Sequence, residues 1–287
     1  MRKLGHIIFA VCLGALTVLF IYDYYRLPTV LRPTSSSLFG GSDVTGVSQD
    51  TLKSEPLKNL SGKSTTRVLQ SKIILTATNL QRLNNGVKSL QWNDTLKNSA
   101  ESKAQDILNK QYFEHISPEG VGPAQLAAQV GYKYVVIGEN LALGNFETES
   151  ALVDAWMNSP GHRENILNPK FTEIGIAAKR GTYEGKTVWV AVQEFGTPLS
   201  SCPQVSSALK DQIDTNKSQL QIMETDLKVK EAAINEPGIS NQEKRDRIED
   251  YNNLVNVYNN LIDRTKNLVN QYNAEVGQLN QCIQDNS

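Results

Sequence analysis

Cysteine is scarce in this chain: Cys12, Cys202 and Cys282 are the only three. That is too few for a fold built on disulfides, and the absence of a C-x-x-C pair excludes a zinc ribbon. Histidine is equally scarce, with three in the whole sequence. An excess of either charge is missing too. The formal net charge is −1 and no long basic run occurs, which removes the electrostatic footprint of a nucleic-acid binder. Neither an H-E-x-x-H helix nor a G-x-S-x-G elbow is present, so two common hydrolase signatures are absent. What is there is a chain of 287 residues with 39% hydrophobic content, enough for one or two domains with an ordinary packed core.

One long apolar run does occur. After basic Met1-Arg2-Lys3, no formally charged residue appears from Leu4 to Tyr22, and Ile7 to Tyr22 is apolar apart from Thr17. At 1.5 Å per residue this stretch reaches about 28 Å, close to the hydrocarbon thickness of a bilayer. Tyr22, Tyr24 and Tyr25 then cluster where amphipathic rings suit the interface. A cleaved signal peptide would have a shorter run ending in a small-x-small site, whereas this one ends in Tyr-Asp-Tyr-Tyr-Arg. Cys12 lies mid-run with apolar sequence on both sides, which argues against an acylated lipoprotein cysteine. Arg26 and Arg32 oppose Arg2 and Lys3, so charge alone orients the segment only moderately. The expectation is an uncleaved single-pass signal anchor over residues 1–26, N-terminus cytoplasmic and the rest extracytoplasmic.

Residues 27–71 hold Pro28, Pro33, Ser35-Ser36-Ser37, Gly40-Gly41 and Ser64-Thr65-Thr66 without a sustained apolar period. Such a composition buries too little apolar surface to offset ordering entropy, so a flexible linker is expected. From residue 72 the pattern changes. Ile73, Ile74, Ala77, Leu80 and Leu83 trace a helical stripe stopped by Asn84-Asn85-Gly86. A second helix fits Asp94 to Lys110, a third opens at Pro123 and ends at Gly131, and a fourth fits Glu147 to Met157. Glu173–Ala178 and Thr187–Phe195 read as strands joined through Gly181-Thr182-Tyr183-Glu184-Gly185. Helices first and antiparallel strands last argue for an α+β domain.

Beyond Pro203 the spacing becomes heptad-like. Ile248, Tyr251, Val255, Tyr258, Ile262, Thr265, Val269, Tyr272, Val276, Leu279 and Ile283 form one seam. Leu209, Ile213, Leu220, Met223, Leu227 and Ile234 form a weaker one, interrupted by Asn216 and Lys230. Glu236-Pro237-Gly238 is a turn, and Ser240-Asn241-Gln242-Glu243 matches a capping box. An antiparallel coiled-coil hairpin is expected over 202–284. Cys202 and Cys282 bracket it, either as a disulfide clamping its base in an oxidising compartment or as two unrelated buried thiols. The arms differ by about 15 Å, which requires extended chain near Cys202 or a break near Gly277.

Three clusters in the middle section carry titratable residues beside helix ends or turns. They are Tyr112-Phe113-Glu114-His115-Ile116-Ser117-Pro118-Glu119-Gly120, Gly138-Glu139-Asn140-Leu141-Ala142, and Ala155-Trp156-Met157-Asn158-Ser159-Pro160-Gly161-His162-Arg163-Glu164-Asn165-Ile166-Leu167-Asn168. Two histidines and a carboxylate are a chemically adequate divalent-metal set if they converge. In order, these clusters resemble the bacterial branch of the CAP superfamily of sperm-coating, pathogenesis-related and cysteine-rich secretory proteins. Asn168-Pro169-Lys170-Phe171-Thr172-Glu173-Ile174-Gly175-Ile176 and Trp189-Val190-Ala191-Val192-Gln193-Glu194-Phe195-Gly196 extend the resemblance, which spans residues 72–198.

The resemblance implies an α-β-α sandwich around a central antiparallel sheet, with an open cleft. It maps the family's two cleft histidines onto His115 and His162 and one acid onto Glu139. Ser159 stands where many members carry a second acid, so the resemblance supports at most three ligands with water, for zinc or another divalent metal. Asn140 and Arg163 are expected to brace the cleft by hydrogen bonds. Function then divides three ways. One reading is a non-catalytic envelope or surface module binding a lipid, glycan or peptide. Another is a zinc-dependent hydrolase on His115, Glu139 and His162. The third is an assembly or docking protein that associates through the hairpin. The first is favoured, since no separate general base is evident.

Overall fold

The computed structural model describes residues 54–60 and 68–286. The anchor expected at residues 1–26 and most of the expected linker lie outside them. Among the described residues no helix is long and apolar enough to cross a membrane.

Among the described residues before the hairpin there are five strands and five α-helices. The strands are β1 (Leu57–Asn59), β2 (Gln91–Trp92), β3 (Tyr134–Gly144), β4 (Glu173–Tyr183) and β5 (Lys186–Pro198). The helices are α1 (Ser71–Asn84), α2 (Asp94–Lys110), α3 (Pro123–Gln129), α4 (Glu149–Met157) and α5 (Pro160–Leu167). Strand order is β1-β3-β5-β4-β2. The three central strands are antiparallel, as expected, but both edges, β1 on β3 and β2 on β4, are parallel. The sheet is therefore mixed, because its edges are short segments that arrive from outside the helix-to-hairpin run.

Alternation along β5 builds the two faces. Val188, Val190 and Val192 pack with Ala100, Ala104 and Ile107 of α2 and with Leu141 and Leu143 of β3. Trp189, Ala191 and Phe195 point the other way, into a core shared with Ile74, Leu152, Trp156 and Ile166 from α1, α4 and α5. Helices thus cover both faces in three layers, as the sandwich expectation required.

Several boundaries move for identifiable reasons. The β4–β5 connection is two residues, Glu184 and Gly185, both at positive φ (49° and 74°), the geometry of a tight hairpin turn. The N-cap of α2 is Asn93, whose side chain accepts from the Leu96 amide at 3.0 Å, so Asp94 is the first helical residue. The stripe expected on α1 is corrected: Leu80 and Leu83 are exposed, and the inward face is Ile74, Thr78 and Arg82. Arg82 faces inward because its guanidinium supplies donors to the carbonyls of Lys88, Ile166, Asn168 and Phe171, at 2.6–3.1 Å. Within the expected linker, Leu57–Asn59 is ordered as β1, since Leu57 finds an apolar seat against the core.

The hairpin consists of α6 (Ser207–Ile234) and α7 (Asn241–Asn286). Ser206 caps α6, and the Ser240 hydroxyl accepts from the Glu243 amide at 3.1 Å. Ile213 packs with Val269, Tyr272 and Val276, and Leu220 with Tyr258 and Ile262. The polar interruption in the first seam has a partner in the second, as Asn216 donates to the Thr265 hydroxyl at 3.1 Å. Lys230 likewise pairs with Asp250. Cys202 and Cys282 form a disulfide. The unequal arms are reconciled by non-helical chain from Cys202 to Ser206, while α7 runs unbroken through Gly277.

Candidate functional site

His115 lies in the loop after α2. Gln111 ends that helix in the left-handed region (φ 57°), and Ser117 closes a turn by accepting the Glu119 and Val121 amides on its hydroxyl. Buried Lys103 of α2 donates to the His115 carbonyl at 2.7 Å, which ties the loop to the helix. The imidazole is held from both sides. Nδ1 lies 2.6 Å from Glu139 Oε1, and Nε2 lies 2.7 Å from the Ser54 carbonyl, which can only accept, so Nε2 carries a proton. Burial pushes the His115 pKa down, but the Glu139 hydrogen bond and charge outweigh it and the net direction is up.

Glu139 sits in the middle of β3, fully buried. Its partner across the strands is Glu194 of β5, also fully buried. Two carboxylates in a dry site cannot both ionise cheaply. Burial and the Glu139 charge hold the Glu194 pKa well above the usual carboxylate range, so Glu194 is the one that keeps its proton. Ser99 donates to Glu194 Oε1 at 3.4 Å, and the Lys103 ammonium offsets the remaining negative charge.

His162 approaches from the opposite layer. Ser-Pro starts α5, with Pro160 in its first turn, so His162 sits in the first turn of a helix. Ser159 Oγ lies 2.8 Å from His162 Nδ1. Burial and the neighbouring His115 lower the His162 pKa to about 4, leaving the ring neutral at ordinary pH. Nε2 is buried without a hydrogen bond of normal geometry, the Leu141 backbone giving it only weak support.

Asn140 braces this side by donating to the His162 carbonyl and to Gln193 Oε1, both at 3.1 Å. Asn165 donates to the Glu139 carbonyl and to Asn140 Oδ1. Arg163 does not join them. One residue past His162 the helix has turned about 100°, so the exposed guanidinium reaches Asn85 at 3.0 Å instead.

The two histidines therefore meet around the edge of β3. β1 pairs only with Ala142–Gly144. Upstream, the edge carbonyls of Glu139 and Leu141 are capped by the side chains of Asn165 and Trp156. Ser54 lies at this uncovered stretch, on His115 and against Gly161, where an added Cβ would come within 2.8 Å of Ser54 Cα and Cβ.

The donor set does not suit a divalent metal in this arrangement. His115 uses both ring nitrogens on its own chain and offers no lone pair, while Glu139 spends one oxygen on His115 and shares the other with the Glu194 carboxyl. Among the described residues no three His, Cys, Asp or Glu side chains draw together with ligand spacing. Sequence reasoning missed Glu194 and Ser54. Glu194 continues the inward phase of Val188, Val190 and Val192, and a charge in that phase is a readable signal. Ser54 had no signal, being placed by tertiary contacts alone.

Residues 75–195 match the CAP family, described as the cysteine-rich secretory protein family. Over 124 residues the chain is 43% identical to the Bacillus subtilis protein YkwD, covering 43% of this chain and 46% of that one. Over 113 residues it is 32% identical to the Bacillus subtilis membrane protein YlbC, covering 39% of this chain and 32% of that one. The chain thus spans less than half the length of the curated relatives it matches. Among solved structures, an extracellular SCP-domain protein of Bacillus anthracis aligns at 27% identity and TM-score 0.38, covering 44% of this chain and 40% of the other. An outer surface protein of Borrelia burgdorferi aligns at 25% identity and TM-score 0.39, covering 44% and 91%.

Proposed function

We propose, for a chain whose residues 75–195 are a CAP domain, that it is a membrane-tethered, extracytoplasmic module that binds a ligand at the His115–Glu139–His162 cleft without cleaving it. One observation carries the reading: among the described residues, no nucleophile in the cleft has a competent base. A histidine with a pKa near 4 is a poor acceptor for the Ser159 proton at neutral pH, and His162 has no carboxylate on its other nitrogen. Ser117 is taken up by its own turn, and His115 lies between Glu139 and the Ser54 carbonyl. The apolar run at residues 4–22, the YlbC membrane protein among the relatives and a disulfide that suits an oxidising compartment support the tether and its side of the membrane.

The test offers casein and peptidoglycan to the purified chain and follows both release of fragments and retention on isolated envelope material. Retention without turnover is expected. Hydrolysis that Glu139→Gln or His162→Ala abolishes would replace this reading with the hydrolase. Zinc titration of the same protein is expected to give no stoichiometric site that His115→Ala removes.

A second reading, self-association through the hairpin, has its own observation. Ile222 and Val229, one heptad apart on α6, are both more than 60% exposed. A sedimentation coefficient of the detergent-solubilised chain that is unchanged by Ile222→Glu with Val229→Glu would remove it.

A further inference from the structure

The site already holds an extended piece of chain. Ser54 places its carbonyl on His115 Nε2 at 2.7 Å and its Cα against Gly161. Three residues on, Leu57 begins a parallel pairing with Ala142 that lasts only to Asn59 opposite Gly144. Lys58 Nζ lies 5.7 Å above the Phe113 ring, two residues from His115. Each of these contacts reads backbone, a small side chain or a single anchor, which is how a groove receives a peptide that adds to a sheet edge.

The fit is also incomplete. Ser54 Oγ is buried at the seat without a hydrogen-bond partner, and His162 Nε2 has only weak support there from the Leu141 backbone. Buried polar groups in a finished fold are nearly always paired. An unpaired hydroxyl on the segment and an under-used ring nitrogen in the cleft mean that the two are imperfectly matched. The segment also has little to lose by leaving. Only Leu57 packs against the core, Leu60 is exposed, and the ladder is three residues long.

We propose that the cleft is a binding site for an extended peptide, and that residues 54–60 are a strap that fills it in cis until a better-matched peptide takes its place. This deepens the binding-module reading and rests on it. The preferred ligand places a small residue at Gly161, its carbonyl on His115 Nε2 and an apolar side chain three positions later in the Leu57 seat. It also carries a hydrogen-bonding group for His162 Nε2. A strap attached through its own chain competes at an effective concentration in the millimolar range. Only a ligand that also satisfies His162 Nε2 displaces it readily.

The experiment uses the full chain in detergent and a fluorescein-labelled synthetic peptide Ser-Glu-Pro-Leu-Lys-Asn-Leu, the sequence of residues 54–60, with a scrambled peptide as control. Anisotropy is read for wild type, for Leu57→Asp and for a deletion of residues 54–60. Binding at least tenfold tighter to the deletion than to wild type is expected, with Leu57→Asp between them, and Gly161→Leu in the deletion background abolishes it. A deletion variant that melts cooperatively but binds the peptide no better than wild type, or no better than the scrambled control, overturns the proposal. Loss of the cooperative melt in both strap variants overturns it equally, because β1 is then a fixed part of the fold. Mass spectrometry of the recovered peptide separates the two readings. Intact peptide supports both, whereas peptide that is bound and cut supports the strap and sinks the binding-only function.

Discussion

Three buried titrating groups at the cleft pull stability in different directions with pH. His162, near 6.5 when unfolded and about 4 when folded, takes up its proton first in the unfolded chain. Its contribution is therefore complete above pH 6.5 and is lost as pH falls towards 4, by about 3 kcal/mol. His115 is raised, so it stabilises under acid conditions and gives that up as pH climbs through its folded value. Glu194 is raised as well, so the unfolded chain deprotonates first and stability declines as pH rises above about 4.5. Two outcomes follow for urea midpoints measured from pH 4 to 9. His162→Gln flattens the acid side between pH 6.5 and 4. Glu194→Gln, which keeps the shape of the protonated acid, is more stable than wild type by a margin that grows with pH. A margin independent of pH would mean that Glu194 is ionised in the folded protein.

At the scale of elements, α1 and α5 are joined by one side chain. Arg82 serves four carbonyls, two of them at the C-terminal end of α5, and burial lowers its pKa only to about 10, so it stays charged. Arg82→Met fills similar volume but leaves those carbonyls without their donor. A loss of at least about 3 kcal/mol is expected, read as a fall of about 10 °C in the thermal midpoint. A fall of only a degree or two would show that water replaces the guanidinium. The same arginine shows why α1 was only half legible. Its position and end were readable, but a period of apolar residues points Leu80 and Leu83 inward, and the demand of orphaned carbonyls turned the helix the other way. β3 was hidden for a related reason. Tyr134–Gly144 is buried along nearly all its length, so the alternation that reveals a half-exposed strand is absent. β5 is buried as fully as β3, but the valine-rich run and the Glu184-Gly185 turn made the β4–β5 hairpin readable, and both hairpin helices keep one wet face. Of the site, His115, Glu139 and His162 were legible through the motifs that carry them, whereas Arg163, expected from the same motif to brace the cleft, is turned by its helix toward Asn85.

For the whole molecule, the Cys202–Cys282 link matters most for the hairpin. It spans 80 residues, and removing a constraint of that length relaxes the unfolded chain enough to cost about 4 kcal/mol. Cys202→Ser with Cys282→Ser is expected to lower the midpoint of the helical signal in circular dichroism, and reductant is expected to do the same to wild type. Identical midpoints with and without reductant would mean that the helix contacts alone set the hairpin's stability. Reduction leaves Asn216–Thr265 and the Ile213 and Leu220 clusters in place, so helix register survives while the base opens.

The same link makes residues 202–282 a covalent ring. The tip at Glu236-Pro237-Gly238 lies about 28 helical residues, or about 40 Å, from the point of closure. A protease that nicks the tip would cut the polypeptide without separating its halves. The nicked molecule would run as one species on a gel and fall into two only after reduction. Continuity of the backbone and integrity of the molecule are, over this stretch, independent properties.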